Sequence, residues 1–353
     1  MAASKQDSGV VLGFLEEPEP WRLRSPQFPS KVGGKPAWLS RTGLPTLPER
    51  TCEKCRLPAA FLLQVYAPIA GLERSFHRTL FVFCCRTPSC YAHSDSRCFK
   101  VFRSQLSRKN DFYSYEPPPD EEPVGSVDEQ ERISGMTLCR VCGCGGQKAC
   151  SRCHSVSYCS KEHQTIDWKH RHKKECSSGS SETLDDVNSP FLFPEFELVT
   201  EPEELRSKDK ELNEAELEKT GREFVHHDLD ENELEDMALH ETEDTKVFQK
   251  FKERTAVEPH QVLRYCRGSS PLWVSADNQP DEEKIPKCPC GAKRIFEFQQ
   301  VMPQLLNDLK VDSPGVSVDW GTLAVYSCAD SCDQGHKYAP EFIWKQDFAA
   351  DRL

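Results

Sequence analysis

The chain has 353 residues, of which 37% are hydrophobic and 29% are charged, and its formal net charge is −12. This polarity predicts that part of the chain lies outside any packed core, and the length suggests about two domains. The N-terminus lacks a basic stretch followed by a long apolar run, and the longest apolar-rich stretch, FLLQVYAPIAGL (61–72), is broken by Gln and Pro. A signal peptide and a membrane span are therefore not expected, and we predict a soluble intracellular protein.

Cysteine is unusually frequent for such a compartment, with 18 residues in the chain. Reducing conditions disfavour disulfides, so clustered cysteines there more often bind metal. The alternative is a set of scattered buried thiols that act as small hydrophobic residues. The spacing of the cysteines has to decide between these interpretations.

The first predicted folded piece, residues 1–115, is β-rich. FLLQVYA (61–67) and TLFVFCC (79–85) have the apolar content of buried strands. The piece also contains a CxxC pair and a second group of three cysteines, namely Cys52, Cys55, Cys84, Cys85 and Cys90.

A Pro-rich acidic linker is predicted at residues 116–134, and the densest Cys/His pattern of the chain follows at 135–176. Two CxxC pairs suit turns that point two thiolates at one ion, and two later pairs at i, i+4 spacing share one helix face. Ser160 is a candidate N-cap for that helix. The pattern predicts two tetrahedral zinc sites of three thiolates and one imidazole each. The eight candidate ligands are Cys139, Cys142, Cys150, Cys153, Cys159, His163, His172 and Cys176.

This segment resembles the MYND-type zinc finger over its full length, including the HQ after the fifth ligand cysteine and the Trp before the last ligand histidine. The resemblance implies interleaved sites: one zinc on Cys139, Cys142, Cys159 and His163, the other on Cys150, Cys153, His172 and Cys176. It also implies a module that binds short proline-containing peptides.

Two aromatic residues of the finger, Trp168 and Tyr158, are candidate peptide contacts. A place in the finger's own small core is the alternative for each. Three further side chains, Cys144, His154 and His170, are spare because four-coordinate sites are already full.

A second linker is predicted at 177–189, and an acidic flexible insertion at 201–245 interrupts the last piece, 190–353. The insertion has 18 Asp plus Glu against 5 Lys plus Arg, a net of −13, so the rest of the chain sums to +1. Such a block is typical of a solvated helix or a disordered loop. The alternative is an electrostatic docking arm for a basic partner.

The last piece is predicted to contain four strands, PLWVS (271–275), IFEF (295–298), GTLAVYSC (321–328) and EFIWKQ (341–346). Two short helices are predicted at VFQKFK (247–252) and MPQLLNDLK (302–310). Cys288 and Cys290 lie one residue apart, and Cys328 and Cys332 are the only cysteines downstream. These four make a plausible four-thiolate zinc site.

The two ends of the chain have the pattern of diverged copies of one zinc-bearing β unit. Counted from Cys55 or from Cys290, Gln stands at +9 and Pro at +13, and each half continues through a strand that ends at a cysteine. Aligning FVFCC with AVYSC places Cys85 at the position of Cys328 and turns Cys84 to the other strand face. The predicted N-terminal ligands are therefore Cys52, Cys55, Cys85 and Cys90, with Cys98 as the fallback for Cys90. Two neighbouring pairs of buried cysteines remain the alternative at each end.

Motifs along the whole chain resemble the programmed cell death protein 2 family in its MYND-containing form. They are PSKVGGKPAWL (29–39), RKNDFYSYEPP (108–118), the finger, CPCGAKRIFEFQ (288–299) and the late WKQD. The resemblance implies a protein of the nucleus and cytoplasm that is connected with cell proliferation, stem-cell maintenance and apoptosis. It further implies a dedicated chaperone that captures a newly made small-subunit ribosomal protein of the S-five family and supports ribosome biogenesis. An acidic arm is compatible with a basic client.

Two other function classes compete with this interpretation. A nuclear transcriptional regulator would use the finger for corepressor or DNA binding, but the acidic segment and the near-neutral remainder argue against tight DNA binding. An enzyme is not expected, because the sequence lacks a glycine-rich cofactor loop and His226, His227 and Asp228 lie in the acidic stretch with nothing to preorganise them. We predict an α+β, β-rich zinc scaffold whose two terminal copies pack as one body, with a detachable finger inserted between them in the chain.

Overall fold

A computed structural model of the chain describes residues 7–122, 135–178, 189–204, 243–301, 304–311 and 318–348. The strands are β1 (Asp7–Glu16), β2 (Lys31–Val32), β3 (Ala60–Tyr66), β4 (His77–Cys84), β5 (Phe99–Leu106), β6 (Lys148–Ala149), β7 (Ser157–Tyr158), β8 (Phe196–Glu204), β9 (Leu263–Tyr265), β10 (Arg294–Val301), β11 (Thr322–Cys328) and β12 (Ala339–Gln346). The helices are α1 (Lys161–Asp167), a π-helical turn (Trp168–His172), α2 (Lys173–Ser178), α3 (Glu243–Val257) and α4 (Gln304–Asp308). Short 3-10 turns lie at Ser25–Gln27, Pro48–Arg50, Glu73–Ser75, Pro88–Cys90, Ser96–Cys98 and Glu282–Lys284.

Ten strands form a closed barrel in the order β1-β8-β2-β3-β4-β5-β12-β11-β10-β9, and β9 pairs with β1 to close it. Every neighbouring pair is antiparallel. The β-rich, α+β class is thus confirmed, and the two ends of the chain form one body. Among the helices of the described ranges, none has the length and apolarity that crossing a lipid bilayer requires.

The two predicted copies are the three-stranded units β3-β4-β5 and β10-β11-β12. Each has one irregularity in the pairing of its first two strands, between Phe61 and Leu63 in one unit and between Phe296 and Phe298 in the other. The two irregularities have the same offset in sequence. Phe61 and Leu63 come six and eight residues after Cys55, and Phe296 and Phe298 come six and eight residues after Cys290. A shared bulge at a shared offset supports the repeat, since bulges are specific features of a strand pair.

Each copy also uses its equivalent glutamine to hold a loop. Gln64 accepts a hydrogen bond from the Ala37 N–H at 2.9 Å, and its amide reaches the Ala37 carbonyl at 3.4 Å. Gln299 binds Leu272 in the same way, accepting from the N–H and donating to the carbonyl at 2.8 Å. The sequences around the held residues, PAWLS and PLWVS, are themselves similar.

We call each glutamine with its two hydrogen bonds to one loop residue a glutamine clamp. The clamp of Gln299 explains why the predicted strand PLWVS (271–275) is wrong. The segment is a loop and contains no strand residue. Side chains satisfy its backbone groups in place of a neighbouring strand, because Gln299 binds Leu272 and Gln346 accepts from the Val274 N–H at 3.0 Å. The other three predicted strands of the last piece match β10, β11 and β12, and the predicted helices fall within α3 and at α4.

The acidic insertion is shorter than the predicted 201–245. Residues 201–204 complete β8, which pairs with β1, and residues 243–245 begin α3. Glu203 is buried and meets Arg264 at 2.6 Å, so its charge belongs to the barrel. The remainder of the predicted segment lies outside the described residues, as do 123–134 and 179–188 of the two predicted linkers.

Side chains of β4 alternate between two cores. Leu80 and Val82 point into the barrel, where the central core also receives Phe298 and Trp320. Phe81 and Phe83 point outward into a second core. This outward core is where the finger lies, so the barrel wall is apolar on both faces at this place.

A buried ion pair joins the two copies across the barrel. Arg78 of β4 meets Glu297 of β10 through two nitrogen–oxygen contacts of 2.7 and 2.9 Å, and neither side chain is exposed. Tyr265 and Ser327 donate to the same carboxylate. Burial alone would raise the pKa of Glu297, but Arg78 and these donors hold it below its usual value. The pair is bidentate and both oxygens of the carboxylate accept further hydrogen bonds, and such good geometry is the condition under which a buried ion pair is tolerated.

Candidate metal centres

Four clusters of Cys and His side chains lie in the described residues, and in each the ligand atoms are within 4.8 Å of one another. They are Cys52, Cys55, Cys85 and Cys90; Cys139, Cys142, Cys159 and His163; Cys150, Cys153, His172 and Cys176; and Cys288, Cys290, Cys328 and Cys332. The structure thus brings together the same four sets that the sequence groups, including the interleaving of the two finger sites.

The sulfur spacings fit zinc. A tetrahedral ion with Zn–S bonds of about 2.3 Å places its sulfur ligands about 3.8 Å apart. Sulfur–sulfur distances within the clusters range from 3.5 Å between Cys55 and Cys85 to 4.0 Å between Cys150 and Cys176. These separations are far longer than a disulfide bond of about 2.05 Å. Zinc is the cofactor that the finger and the three-thiolate or four-thiolate donor sets support.

The N-terminal centre is built on two tight turns. Cys52 and Cys55 lie on a turn that the Thr51–Pro58 bridge closes, and Cys85 follows β4 directly. Backbone N–H groups donate to the sulfurs, from Lys54 to Cys52 at 3.4 Å and from Thr87 to Cys85 at 3.3 Å. Such donors stabilise thiolates, which is the form that binds metal.

The C-terminal centre has the same plan. Cys288 and Cys332 are 3.5 Å apart and Cys290 and Cys328 are 3.6 Å apart. Gly291, with a φ of +94°, makes the sharp turn after Cys290 that a residue with a Cβ would strain to adopt. The backbone N–H of Ala292, together with hydrogen bonds from the other three thiols of the cluster, lowers the pKa of Cys290 to about 7, so its thiolate forms more readily than that of an ordinary cysteine.

The two terminal centres occupy equivalent places in the repeat. Ala60 pairs with Cys84 and Ile295 pairs with Ser327, so the next residue on each strand, Cys85 or Cys328, is a cluster member. Cys84 points into the barrel core, as the strand alternation predicts. Cys98 is also buried and directs its thiol to the Asp95 carbonyl at 3.8 Å, outside the cluster.

In the finger, the first centre uses Nδ1 of His163, which lies 3.2 Å from the Cys159 sulfur and 3.6 Å from that of Cys139. Ser160 accepts from the His163 N–H and caps α1, as predicted, which fixes the start of the helix. The ring of His163 packs on Phe191, with centroids 4.1 Å apart.

The second finger centre uses the other ring nitrogen, because Nε2 of His172 lies 3.4 Å from the Cys153 sulfur. The three spare side chains of the finger stay outside both clusters. Cys144 is buried with its thiol directed to the Cys142 carbonyl, while His154 and His170 are exposed.

Neither candidate peptide contact is a freely exposed ring. Tyr158 is fully buried and donates to Asp167 at 2.7 Å, so it belongs to the finger's core. Trp168 is half-buried and its ring lies 5.8 Å from that of His172. Of the two, only Trp168 retains surface that a peptide can reach.

The finger is not a detachable module, contrary to the expectation from sequence. Its residues Cys139, Val141 and Tyr158 share one core with Trp38 and Phe81 of the N-terminal copy. The indole of Trp38 donates to the Gly143 carbonyl at 2.7 Å.

The chain that leaves the finger is fixed to the barrel as well, because Gly34 donates to the Phe193 carbonyl at 3.1 Å. A Cβ on Gly33 would lie 1.7 Å from the Pro194 carbonyl oxygen, which accounts for the glycine pair in PSKVGGK. Sequence reasoning missed this joint because the finger's pattern is complete in itself.

Comparison with known proteins agrees with this architecture. The chain matches the models "Programmed cell death protein 2, N-terminal domain" over residues 9–120, "Programmed cell death protein 2, C-terminal putative domain" over 245–347 and "MYND finger" over 139–176. Programmed cell death protein 2 of Bos taurus is 53% identical over 98% of this chain and 98% of its own length. The chain belongs to the programmed cell death protein 2 family.

More distant relatives extend along the whole chain. Programmed cell death protein 2-like of Homo sapiens is 28% identical over 92% of this chain and 91% of its own. A Schizosaccharomyces pombe protein named "Probable 20S rRNA accumulation protein 4" is 23% identical over 91% of this chain and 92% of its own. No solved structure matches.

Proposed function

We propose that this chain is a non-enzymatic zinc-binding adaptor and dedicated chaperone that captures a newly made small-subunit ribosomal protein of the S-five family and so supports ribosome biogenesis. The observation that carries the proposal is the relative named for rRNA accumulation, which aligns along 91% of the chain and not with the finger alone. The relation therefore includes the barrel and both terminal copies.

The metal centres fit a scaffold. We assign the sixteen clustered side chains as ligands of four structural zinc ions, two of them in the finger. Each cluster supplies four ligands, so a bound zinc has no open position for substrate or water. In this proposal the metal contributes folding free energy, and the barrel and finger surfaces make the interactions.

The proposal places the protein in both cytoplasm and nucleus, because a client captured at synthesis must reach the nascent subunit. A MYND finger is a protein-interaction domain. We propose that its ligand is a proline-containing peptide, with Trp168 as one contact, and that this second partner is separate from the ribosomal client.

The acidic residues between β8 and α3 provide the first test. Residues 206–241 contain 13 Asp plus Glu and 5 Lys plus Arg. If this stretch steers a basic client, replacing it by a Gly/Ser linker of equal length should slow association about tenfold at low salt, with the difference vanishing at high salt. The measurement is the association rate with a purified small-subunit ribosomal protein of the S-five family at two ionic strengths. A scrambled segment with the same charges is the control and should associate like the original chain.

Co-expression separates the proposal from its runner-up, a nuclear transcriptional regulator that acts through corepressor or DNA binding. The full chain should keep the co-expressed client soluble. Client that stays insoluble, together with tight binding of duplex DNA at physiological salt, would favour the regulator. The finger cannot simply be deleted in this experiment, because its removal would uncover Trp38 and Phe81 on the barrel.

A further inference from the structure

A groove opens in the barrel wall at the place where β5 and β12 separate. Along the described strands, these two pair only over residues 101–103 and 339–341. The same register would next bring 98–100 opposite 342–344, but no pair forms there. Over this stretch β5 stays paired with β4, and β12 stays paired with β11. The two strand edges that face each other across the groove are therefore not joined.

Side chains close the other end of the groove in place of strand pairing. The Lys345 N–H donates to the Ser96 hydroxyl at 2.8 Å, and the Ser94 N–H donates to the Asp347 carboxylate at 2.7 Å. The groove has a volume of about 660 Å³, which is in the range of ligand-binding clefts. Unjoined strand edges bind extended peptides through main-chain hydrogen bonds.

One side of the groove is aromatic. Phe342 and Trp344 of β12 line it, are only partly buried, and have ring centroids 6.2 Å apart. They belong to an aromatic cluster on the outer face of the second copy, together with Phe296 and Tyr326. Two rings are thus accessible beside the strand edges.

The repeat shows why this aromatic surface stays open. Trp344 pairs with Ala324 and Phe102 pairs with Phe81, and Ala324 and Phe81 each lie four residues before the equivalent cysteines of the two copies. Trp344 is therefore the counterpart of Phe102. Phe102 lies in the core shared with the finger and is 2% exposed, whereas Trp344 remains partly exposed.

The opposite rim of the groove is acidic. Its two cations are already paired with carboxylates of the same rim, Lys100 with Glu53 and Arg97 with Asp95 at 2.8 Å. Glu49 adds an exposed carboxylate that, among the described residues, is paired with no cation.

Further carboxylates lie behind the aromatic side. The Trp344 indole donates to the Asn278 carbonyl at 2.7 Å, and Ile285 packs in the same aromatic cluster. These contacts hold the 3-10 turn Glu282–Lys284 next to the groove. The lysine of this turn pairs with Asp281, but its two glutamates are exposed and no described cation pairs with them. The surplus charge around the groove is therefore negative.

We propose that this groove docks a basic polypeptide segment in an extended conformation and, on the basis of the function proposed above, that the segment belongs to the ribosomal client. The backbone of the segment pairs with the edges of β5 and β12. Its Lys and Arg side chains reach the carboxylates of the rim and the faces of Phe342 and Trp344, because aromatic faces attract cations.

The test uses the full zinc-loaded chain and two synthetic peptides, one of alternating Lys and Val and one of alternating Glu and Val. Fluorescence anisotropy measures their affinity, and hydrogen exchange locates the bound peptide. We expect the Lys/Val peptide to bind and to protect residues 97–101 and 341–345. Its affinity should fall about tenfold when three carboxylates around the groove are neutralised, in Glu53→Gln/Glu282→Gln/Glu283→Gln.

A matched control removes the same charge from exposed positions elsewhere, in Glu17→Gln/Glu253→Gln/Glu258→Gln. The control should bind the Lys/Val peptide like the original chain. A Lys/Val peptide that does not bind, that protects other segments, or that weakens equally in both triple variants would overturn the proposal. A Glu/Val peptide that binds as tightly would overturn it as well.

Co-expression with the S-five ribosomal protein separates this inference from the proposed function. We expect the original chain to keep the client soluble and the groove variant to keep much less of it soluble. If both chains keep it equally soluble, the proposed function stands and the groove is not the docking site of the client. If the original chain leaves the client insoluble but binds the Lys/Val peptide in the groove, the proposed function fails and the groove remains a site for basic segments.

Discussion

His77 lies in a group of aromatic rings at the start of β4. It stacks on Phe28 with centroids 4.0 Å apart, and its Nδ1 lies 3.1 Å from the Tyr66 hydroxyl. Burial, with a smaller contribution from Arg108, lowers the pKa of His77 from 6.5 to about 4. The folded protein thus holds this ring neutral.

This residue makes stability depend on pH. Because the folded state disfavours the protonated ring, the contribution of His77 is complete above about pH 6.5 and is lost as the pH falls towards 4. Between pH 7 and pH 5, the free energy of unfolding should fall by about 1–2 kcal/mol more in the original chain than in His77→Gln, which cannot protonate. Urea unfolding at each pH measures the difference. His170→Gln, on the exposed face of the finger, should keep the steeper dependence; equal slopes in all three chains would contradict the prediction.

Single residues also show what sequence can resolve. The choice of Cys85 over Cys84 followed from strand alternation and the repeat, and the structure brings Cys85 to the cluster. Tyr158 was ambiguous because its partner Asp167 is brought to it only by the fold of the finger.

At the scale of elements, we expect the glutamine clamps of the two copies to contribute similarly to stability. Gln64 and Gln299 are each 1% exposed and each binds both backbone groups of one loop residue. Replacing either by Met keeps the volume but leaves the loop's N–H and carbonyl without partners. Each change should cost about 1–3 kcal/mol of stability, measured by urea unfolding.

The exposed Gln249 of α3 offers a control, because its amide donates to Glu253 on the surface of the same helix. Gln249→Met should change stability by less than about 0.5 kcal/mol. A Gln299→Met chain as stable as this control would mean that the loop finds other partners and that the clamp is incidental.

Elements with an apolar run were predictable and those without one were not. β3, β4, β10, β11 and β12 are buried runs that sequence located to within a few residues. β1 and β8 were missed. β8 has the sequence FELVTEPEE, whose acidic half gives no strand signal. That half pairs with β1, and Arg264 donates to its Glu203. PLWVS has the composition of a strand, but its backbone partners are side chains from elsewhere.

At the scale of the molecule, each copy makes hydrogen bonds to the loop of the other copy that carries or follows a cluster cysteine. Arg74, Arg103 and Gln105 of the first copy donate to the carbonyls of residues 330–332 in the C-terminal loop. In return, Lys345 donates to the Ala92 carbonyl at 3.2 Å and Asp347 accepts from the Ser94 N–H at 2.7 Å. The terminal centres are therefore parts of the contact between the copies.

Metal analysis of the purified chain should return four zinc ions. Cys328→Ala should reduce the count to three and lower stability, because the binding free energy of a structural zinc is also folding free energy. Hydrogen exchange should increase in β5 as well, since Arg103 and Gln105 lose a fixed loop. Cys266→Ala, outside all four clusters, is the control and should keep four. A count near two in the original chain would retain the finger's zinc ions and exclude the terminal ones.

The closure of the barrel has a consequence for how the chain is made. β5 pairs with β12, the last strand, and β1 finds its neighbours only in β8 and β9. While the ribosome is still translating the second half, the first copy therefore has open sheet edges, which are the surfaces through which strands pair with other chains. The protein that we propose as a chaperone for a nascent chain is thus itself exposed to aggregation during its own synthesis. This exposure ends when residues 339–346 leave the ribosome and β12 pairs with β5.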